Sequence, residues 1–286
     1  IDTDGKVLDL GTVNNVPMRI KTTLVDVNGE HFTEATSTVT LTDHVAYKNL
    51  DTDKTYTLTG TLYVKDGDAL TEMMTETVDF QPTETSGTQD VTFTFDASEL
   101  VGKSVVAFEE LSVNGEFCAE HKDKDDENQT VTFPGIQTTA RDNVTEDHVS
   151  NATDSITIVD TVAYTGLKKG DTYTVTGTLM DAETGEAALD DDGNAITASK
   201  EFTALSADEN IDITFTFAGV SLAGKTLVAF EQIDHDGKKY AVHADINDKG
   251  QTVYIPKIRT KALDANTGLN QVKADSNVTV VDTVTY

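Results

Sequence analysis

The sequence predicts an all-β chain of tandem antiparallel sandwich modules, and three observations predict it. Short segments alternate apolar and polar residues, turn residues separate them, and the whole arrangement occurs twice with a third copy begun. In the first copy Val39, Leu41, Asp43, Val45 and Tyr47 share one face of a strand, and residues 55–62, 91–95 and 130–133 alternate as well. Asp66-Gly67, Asn114-Gly115 and Asp236-Gly237 are turn signals. No long segment carries a helical period. Modules of about 120 residues built from short strands fit an Ig-like sandwich, and a chain of them is expected to be a rod.

The repeat is read from landmarks. Val106-Ala107-Phe108-Glu109 recurs as Val228-Ala229-Phe230-Glu231, and Gln129-Thr130-Val131 as Gln251-Thr252-Val253. His121 and His243 keep the same spacing, inside a shared pattern of His-x-Asp, then Asp, then Gln. Asp43 to Tyr47 recurs from Asp160 to Tyr164 and again from Asp282 to Tyr286. Ile20-Lys21-Thr22 matches Ile136-Gln137-Thr138 and Ile258-Arg259-Thr260. Pro17, Pro134 and Pro256 mark the joints. Module one is expected over 18–134, module two over 135–256, and an incomplete third module over 257–286. Residues 1–17 read as a linker or the tail of a preceding module, with Thr12 where the other copies carry Gln.

Composition excludes several classes of function. Asp and Glu number 50 against 21 Lys and Arg, for a formal net charge of −29. Such a chain repels nucleic-acid backbones and anionic lipid, so neither nucleic acid nor membrane is an expected partner. There is no Trp, and the single Cys118 cannot form an internal disulfide. The chain opens Ile-Asp-Thr-Asp, which reads as a piece of something larger with leader and anchor outside it.

Polar residues on apolar faces carry the chemistry. Asp43 shares its face with four apolar residues, Asp160 lies among Ile156, Ile158, Val162 and Tyr164, and Asp282 among Val278, Val280, Val284 and Tyr286. Thr22 sides with Ile20 and Leu24, Thr138 with Ile136 and Ala140, and Thr260 with Ile258 and Ala262. In the last strand Gln129 sides with Val131 and Phe133, and Gln251 with Val253 and Ile255. Glu109 and Glu231 side with the Val/Leu-Ala-Leu/Ile face of their strand. An unpaired buried polar group costs about 2–7 kcal/mol. The set is tolerable only if its members meet, and two carboxyls meeting in apolar surroundings raise at least one pKa. His31, His44, His148 and His235 show no counterpart between copies and are expected at the surface. Cys118, which aligns with Tyr240, is expected to be a strand residue.

These residues resemble the Thr–Gln ester-bond domains, or VaFE repeats, of cell-wall-anchored adhesins of Gram-positive bacteria. The resemblance covers nearly all of 18–256 and the stub beyond. It implies that the Thr hydroxyl attacks the Gln carboxamide, ammonia leaves, and an ester joins first strand to last. The implied bonds are Thr22–Gln129 and Thr138–Gln251. The assisting groups would be Asp43, Glu109 and His121, then Asp160, Glu231 and His243. Which carboxyl is the acid and which orients the His stays open at this level. The resemblance also implies a secreted structural stalk, attached to the cell wall through regions outside this chain, monomeric, with a host ligand bound by a distal tip.

Rival readings are a module binding a host protein or glycan, and a hydrolase with Glu109 and Asp43 as acid–base pair. A Lys–Asn isopeptide is disfavoured because Lys21 becomes Gln137 in the second copy. No cofactor and no metal are expected: the acidic runs 123–127 and 190–192 lack the spacing of a calcium loop.

Overall fold

The computed structural model describes residues 16–275 and 277–286, so the expected linker and Thr12 lie outside the described residues, Val16 and Pro17 excepted. The chain divides into two compact units at Pro134 and Gly135. The described residues carry strands and brief 3-10 turns.

In the first unit the strands are β1 (Arg19–Lys21), β2 (Leu24–Asp26), β3 (Val39–Lys48), β4 (Tyr56–Asp66), β5 (Ala69–Phe80), β6 (Ser86–Phe95), β7 (Ser104–Val113), β8 (Glu116–His121) and β9 (Thr130–Thr132). β1 and β2 are one edge strand interrupted at Thr22 and Thr23, and both pair with β3, which pairs with β6. The facing sheet runs β5-β4-β7, and the far edge of β7 carries both β8 and β9. Every one of these pairings is antiparallel. Period-two alternation supplies the core. Leu41, Val45 and Tyr47 of β3 bury together with Tyr56, Leu58 and Leu62 of β4 and with Val105, Ala107 and Leu111 of β7. The Asn114-Gly115 signal forms a tight hairpin turn, both residues having positive φ (51° and 79°).

The second unit repeats this plan with β10 (Gly135–Asp142), β11 (Ile156–Thr165), β12 (Thr172–Asp181), β13 (Thr197–Thr203), β14 (Glu209–Phe217), β15 (Thr226–His235), β16 (Lys238–His243) and β17 (Thr252–Tyr254). One sheet is β10-β11-β14; the other is β13-β12-β15, with β16 and β17 sharing the edge of β15. Between β12 and β13 lies an extra excursion, held by the bridges Met180↔Ala187 and Leu189↔Ala195. The acidic run 190–192 belongs to it. Asp190 Oδ1 accepts from the N–H groups of Asp192 and Asn194, and Asp191 from those of Val220 and Ser221.

The third copy contributes β18 (Arg259–Asp264) and β19 (Val280–Thr285). Their register, with Thr260 opposite Val284 and Ala262 opposite Asp282, repeats that of β10 and β11, with Thr138 opposite Val162 and Ala140 opposite Asp160. Thr260 and Asp282 are exposed.

Two expectations are corrected. Gln129 is not in the last strand: it ends a 3-10 turn, Glu127–Gln129, just before β9, and Gln251 likewise precedes β17. Val131, Phe133, Val253 and Ile255 are nonetheless buried on the same side, as the alternation requires. His31 and His148, expected to be unrelated surface residues, are counterparts. Each backbone carbonyl accepts from the last strand, His31 O from Thr132 N and His148 O from Tyr254 N, and each Nδ1 is buried. Their offset is that of Asp43 and Asp160, so the pairing was available in the sequence.

Candidate cross-link site

Thr22 lies at the interruption between β1 and β2, fully buried, with Asp43, Glu109 and Gln129 also at zero exposure. Three elements bring them together. β3 supplies Asp43. β7 supplies Glu109, which is paired on one side with Gly60 and on the other with His121. The 3-10 turn supplies Gln129.

Gln129 Nε2 lies 2.8 Å from Thr22 Oγ1, 2.8 Å from the carbonyl of Ala107 and 3.3 Å from that of His121. Two backbone carbonyls can only accept, so the amide nitrogen points at them and at the threonine. His121 Nδ1 accepts from Thr22 N–H at 3.3 Å and lies 3.4 Å from Thr22 Oγ1. An accepting Nδ1 requires the proton on Nε2, which faces Asp126 Oδ2 at 3.5 Å. Asp126 thus orients the His121 ring, a position left open between Asp43 and Glu109. Its other oxygen accepts from Asn128 N–H at 2.9 Å and so caps the turn that carries Gln129. Asp248 repeats both contacts, with His243 Nε2 at 3.1 Å and Gly250 N–H at 2.7 Å. The sequence signal for it was the second Asp of the shared His-x-Asp, Asp, Gln pattern.

Asp43 and Glu109 form a coupled pair. With both ionised, none of their four oxygens finds a donor. A proton on Glu109 removes that penalty, because the acid then donates to Asp43. Burial, followed by the charge and hydrogen bond of Asp43, pushes Glu109 up to about 10. Burial raises Asp43 too, opposed chiefly by the hydrogen bond from Glu109. Module two behaves alike: burial and the contact with Asp160 push Glu231 up to about 10, and burial raises Asp160.

The modules differ around the threonine. Thr138 Oγ1 donates to Glu231 Oε2 at 3.0 Å, and Gln251 Nε2 rests against both Thr138 Oγ1 and Glu231 Oε2. Thr22 has no exposed surface, whereas Thr138 keeps 6 %.

Sequence reasoning also missed Gly60. A Cβ there would overlap Glu109 Oε1 and the Phe93 ring, so the glycine makes room for the carboxyl. Its counterpart Gly177 makes room for Phe215 and Ile213. A glycine in mid-strand in both copies, within Thr-Gly-Thr-Leu, was the available signal. Asp26, Asp142 and Asp264 are a second missed set, each accepting backbone N–H groups in the turn after the first strand of its copy.

Fold and site together define a repeated β-sandwich with a buried Thr–Gln pair, a shared-proton carboxyl pair and an Asp-oriented His in each complete copy. The chain matches the T-Q ester bond containing domain over residues 18–133, 134–255 and 256–286, and it belongs to that family. Among solved structures it is similar to two crystal forms of a bacterial adhesin from Mobiluncus mulieris containing intramolecular disulfide, isopeptide and ester bond cross-links. Identity is 15 % and 16 %, TM-score 0.40 and 0.39, and coverage 93 % of this chain and 92 % and 93 % of those. A red sea bream transglutaminase is similar at 12 % identity and TM-score 0.28, over 84 % of this chain and 31 % of that one. No curated protein matches the chain.

Proposed function

We propose that each complete module closes its own ester, Thr22–Gln129 in module one and Thr138–Gln251 in module two. The observation that carries this reading is the buried contact of Gln129 Nε2 with Thr22 Oγ1 at 2.8 Å, beside an accepting His121 Nδ1. His121 takes the hydroxyl proton, and Thr22 Oγ1 bonds to the side-chain carbonyl carbon of Gln129. Protonated Glu109, paired with Asp43, steadies the developing oxyanion as an acid donor. The C–N bond breaks, and the nitrogen leaves as ammonia with the proton His121 accepted. Threonine is a poor nucleophile without such a base, and an amide a poor electrophile without such an acid. The reaction runs once per module, so it is not turnover of a substrate.

The chain acts in this reading as a stalk segment of a bacterial surface adhesin. Family membership and repetition of the same linked module support it. A hydrolase built on Glu109 and Asp43 is disfavoured, because neither side chain has exposed surface for a substrate to reach. Attachment to a cell wall, a distal ligand-binding tip and a monomeric rod belong to the same proposal.

Intact mass tests the linkage. The native chain is expected to weigh two molecules of ammonia less than its sequence, and Thr22→Ala one. A mass equal to the unmodified sequence overturns it.

A further inference from the structure

The turn that delivers the glutamine also delivers the carboxylate behind the histidine. Asp126 precedes Gln129 by three residues, and Asp248 precedes Gln251 by the same distance. One Asp126 oxygen faces His121 Nε2, while Gln129 Nε2 meets Thr22 Oγ1. Whatever fixes this turn therefore fixes histidine and carboxamide against each other.

In both copies the turn is closed by the side chain that follows it. Thr130 Oγ1 donates to the backbone carbonyl of Asp126 at 3.0 Å, and Thr252 Oγ1 to that of Asp248 at 2.6 Å. The same carbonyl accepts from the glutamine N–H, at 3.0 Å from Gln129 and at 3.3 Å from Gln251. Where the backbone bond is longer the hydroxyl bond is shorter, so the module-two turn depends more on its threonine. Val131 and Val253 are buried, so the threonine before each projects from the other face of its strand, away from the core. Valine suits such a strand position as well as threonine does. What valine lacks is the donor for the aspartate carbonyl.

We propose that Thr130 and Thr252 are positioning residues for closure of the cross-link, each clamping the aspartate whose carboxylate holds the histidine ring. The proposal rests on the cross-link reading above. With the Asp126 backbone fixed, its carboxylate stays against His121 Nε2, the proton stays on that nitrogen, and the lone pair of Nδ1 stays turned to Thr22. Asp248 and His243 are held by Thr252 in the same way. The threonine of the Gln-Thr-Val landmark thus acts on the reaction through its aspartate.

Cell-free synthesis quenched at intervals, with peptide mass read at residues 129 and 251, gives the closure rate of each module. Thr130→Val is expected to slow module one about three- to tenfold, the range one neutral hydrogen bond supplies. Thr252→Val is expected to slow module two by a larger factor, and the unaltered module is the reference in each chain. Thr130→Ser and Thr252→Ser restore the hydroxyl and are expected to restore the rate. In an Asp126→Asn background the effect of Thr130→Val is expected to shrink below about twofold, because the carboxylate it positions is gone. Urea unfolding of Gln129→Ala carrying Thr130→Val is expected to show module one still folded in water; an unfolded module one gives the threonine a folding role and overturns the proposal. Valine variants that close at the native rate, serine variants as slow as valine, or an undiminished Thr130→Val effect beside Asp126→Asn also overturn it and leave the esters standing. A native chain that keeps both amides overturns the cross-link reading and the proposal with it.

Discussion

Thr22 Oγ1 and Gln129 Nε2 meet at 2.8 Å across 107 residues of chain, and the elements that carry them lie at opposite ends of module one. An ester there joins the edge strand that enters the module, at its break, to the turn that leads into the last strand. By chain entropy a cross-link over this length is worth about 5 kcal/mol. Its mechanical effect follows from its position, because tension on a tandem chain would pass through the covalent bond and not through the β ladder.

Single-molecule pulling checks that effect. Native modules are expected to resist extension at forces that unravel ordinary sandwiches, while Gln129→Ala is expected to let module one extend and leave module two closed. Full-length extension of both native modules would refute the stalk mechanism.

Asp126→Asn separates orientation of the base from folding. Asparagine keeps an oxygen for the Asn128 N–H, so the turn survives, but the carboxylate facing His121 Nε2 is gone. Closure of module one is expected to slow at least about 100-fold. The fraction of Gln129 still carrying its amide, read by peptide mass, measures this, with module two as the internal reference.

The carboxyl pair predicts a pH dependence in an unlinked background. Glu109 holds its proton up to about 10 in the fold, against 4.5 as its ordinary value. Between those values the folded state binds a proton that the unfolded state has released, so stability falls as pH rises. Gln129→Ala is therefore expected to be most stable below 4.5 and to lose stability progressively towards 10. Asp43, also raised, acts in the same direction. Denaturant midpoints across pH test it, and adding Glu109→Gln is expected to flatten most of the slope.

Gly60→Ala probes the space around Glu109. The new methyl group meets the carboxyl and the Phe93 ring, and overpacking of this kind costs about 1–3 kcal/mol. Closure of module one is expected to slow as well. Gly177→Ala meets Phe215 and Ile213 instead, and is expected to destabilise module two with a smaller effect on closure. Urea unfolding and peptide mass together separate the two effects.

The sandwich class and the inward side of each strand were legible in the sequence, because strand alternation is a local property. It is enough to put Thr22, Asp43 and Glu109 among apolar neighbours. Repetition of the whole pattern made the landmarks readable as a set. Other features depended on the tertiary structure for a physical reason: they involve residues whose direction or surroundings no local period sets. Asp126 sits in a turn, so only the folded backbone aims one of its oxygens at His121 and the other at Asn128. Gly60 has no side chain to pattern, and its meaning lies in the carboxyl that fills the space beside it. His31 and His148 share the sequence offset of Asp43 and Asp160, but that both accept from the last strand is decided only in the fold. Which carboxyl keeps the proton is likewise a matter of burial and proximity, two quantities that exist only once β3 and β7 face each other.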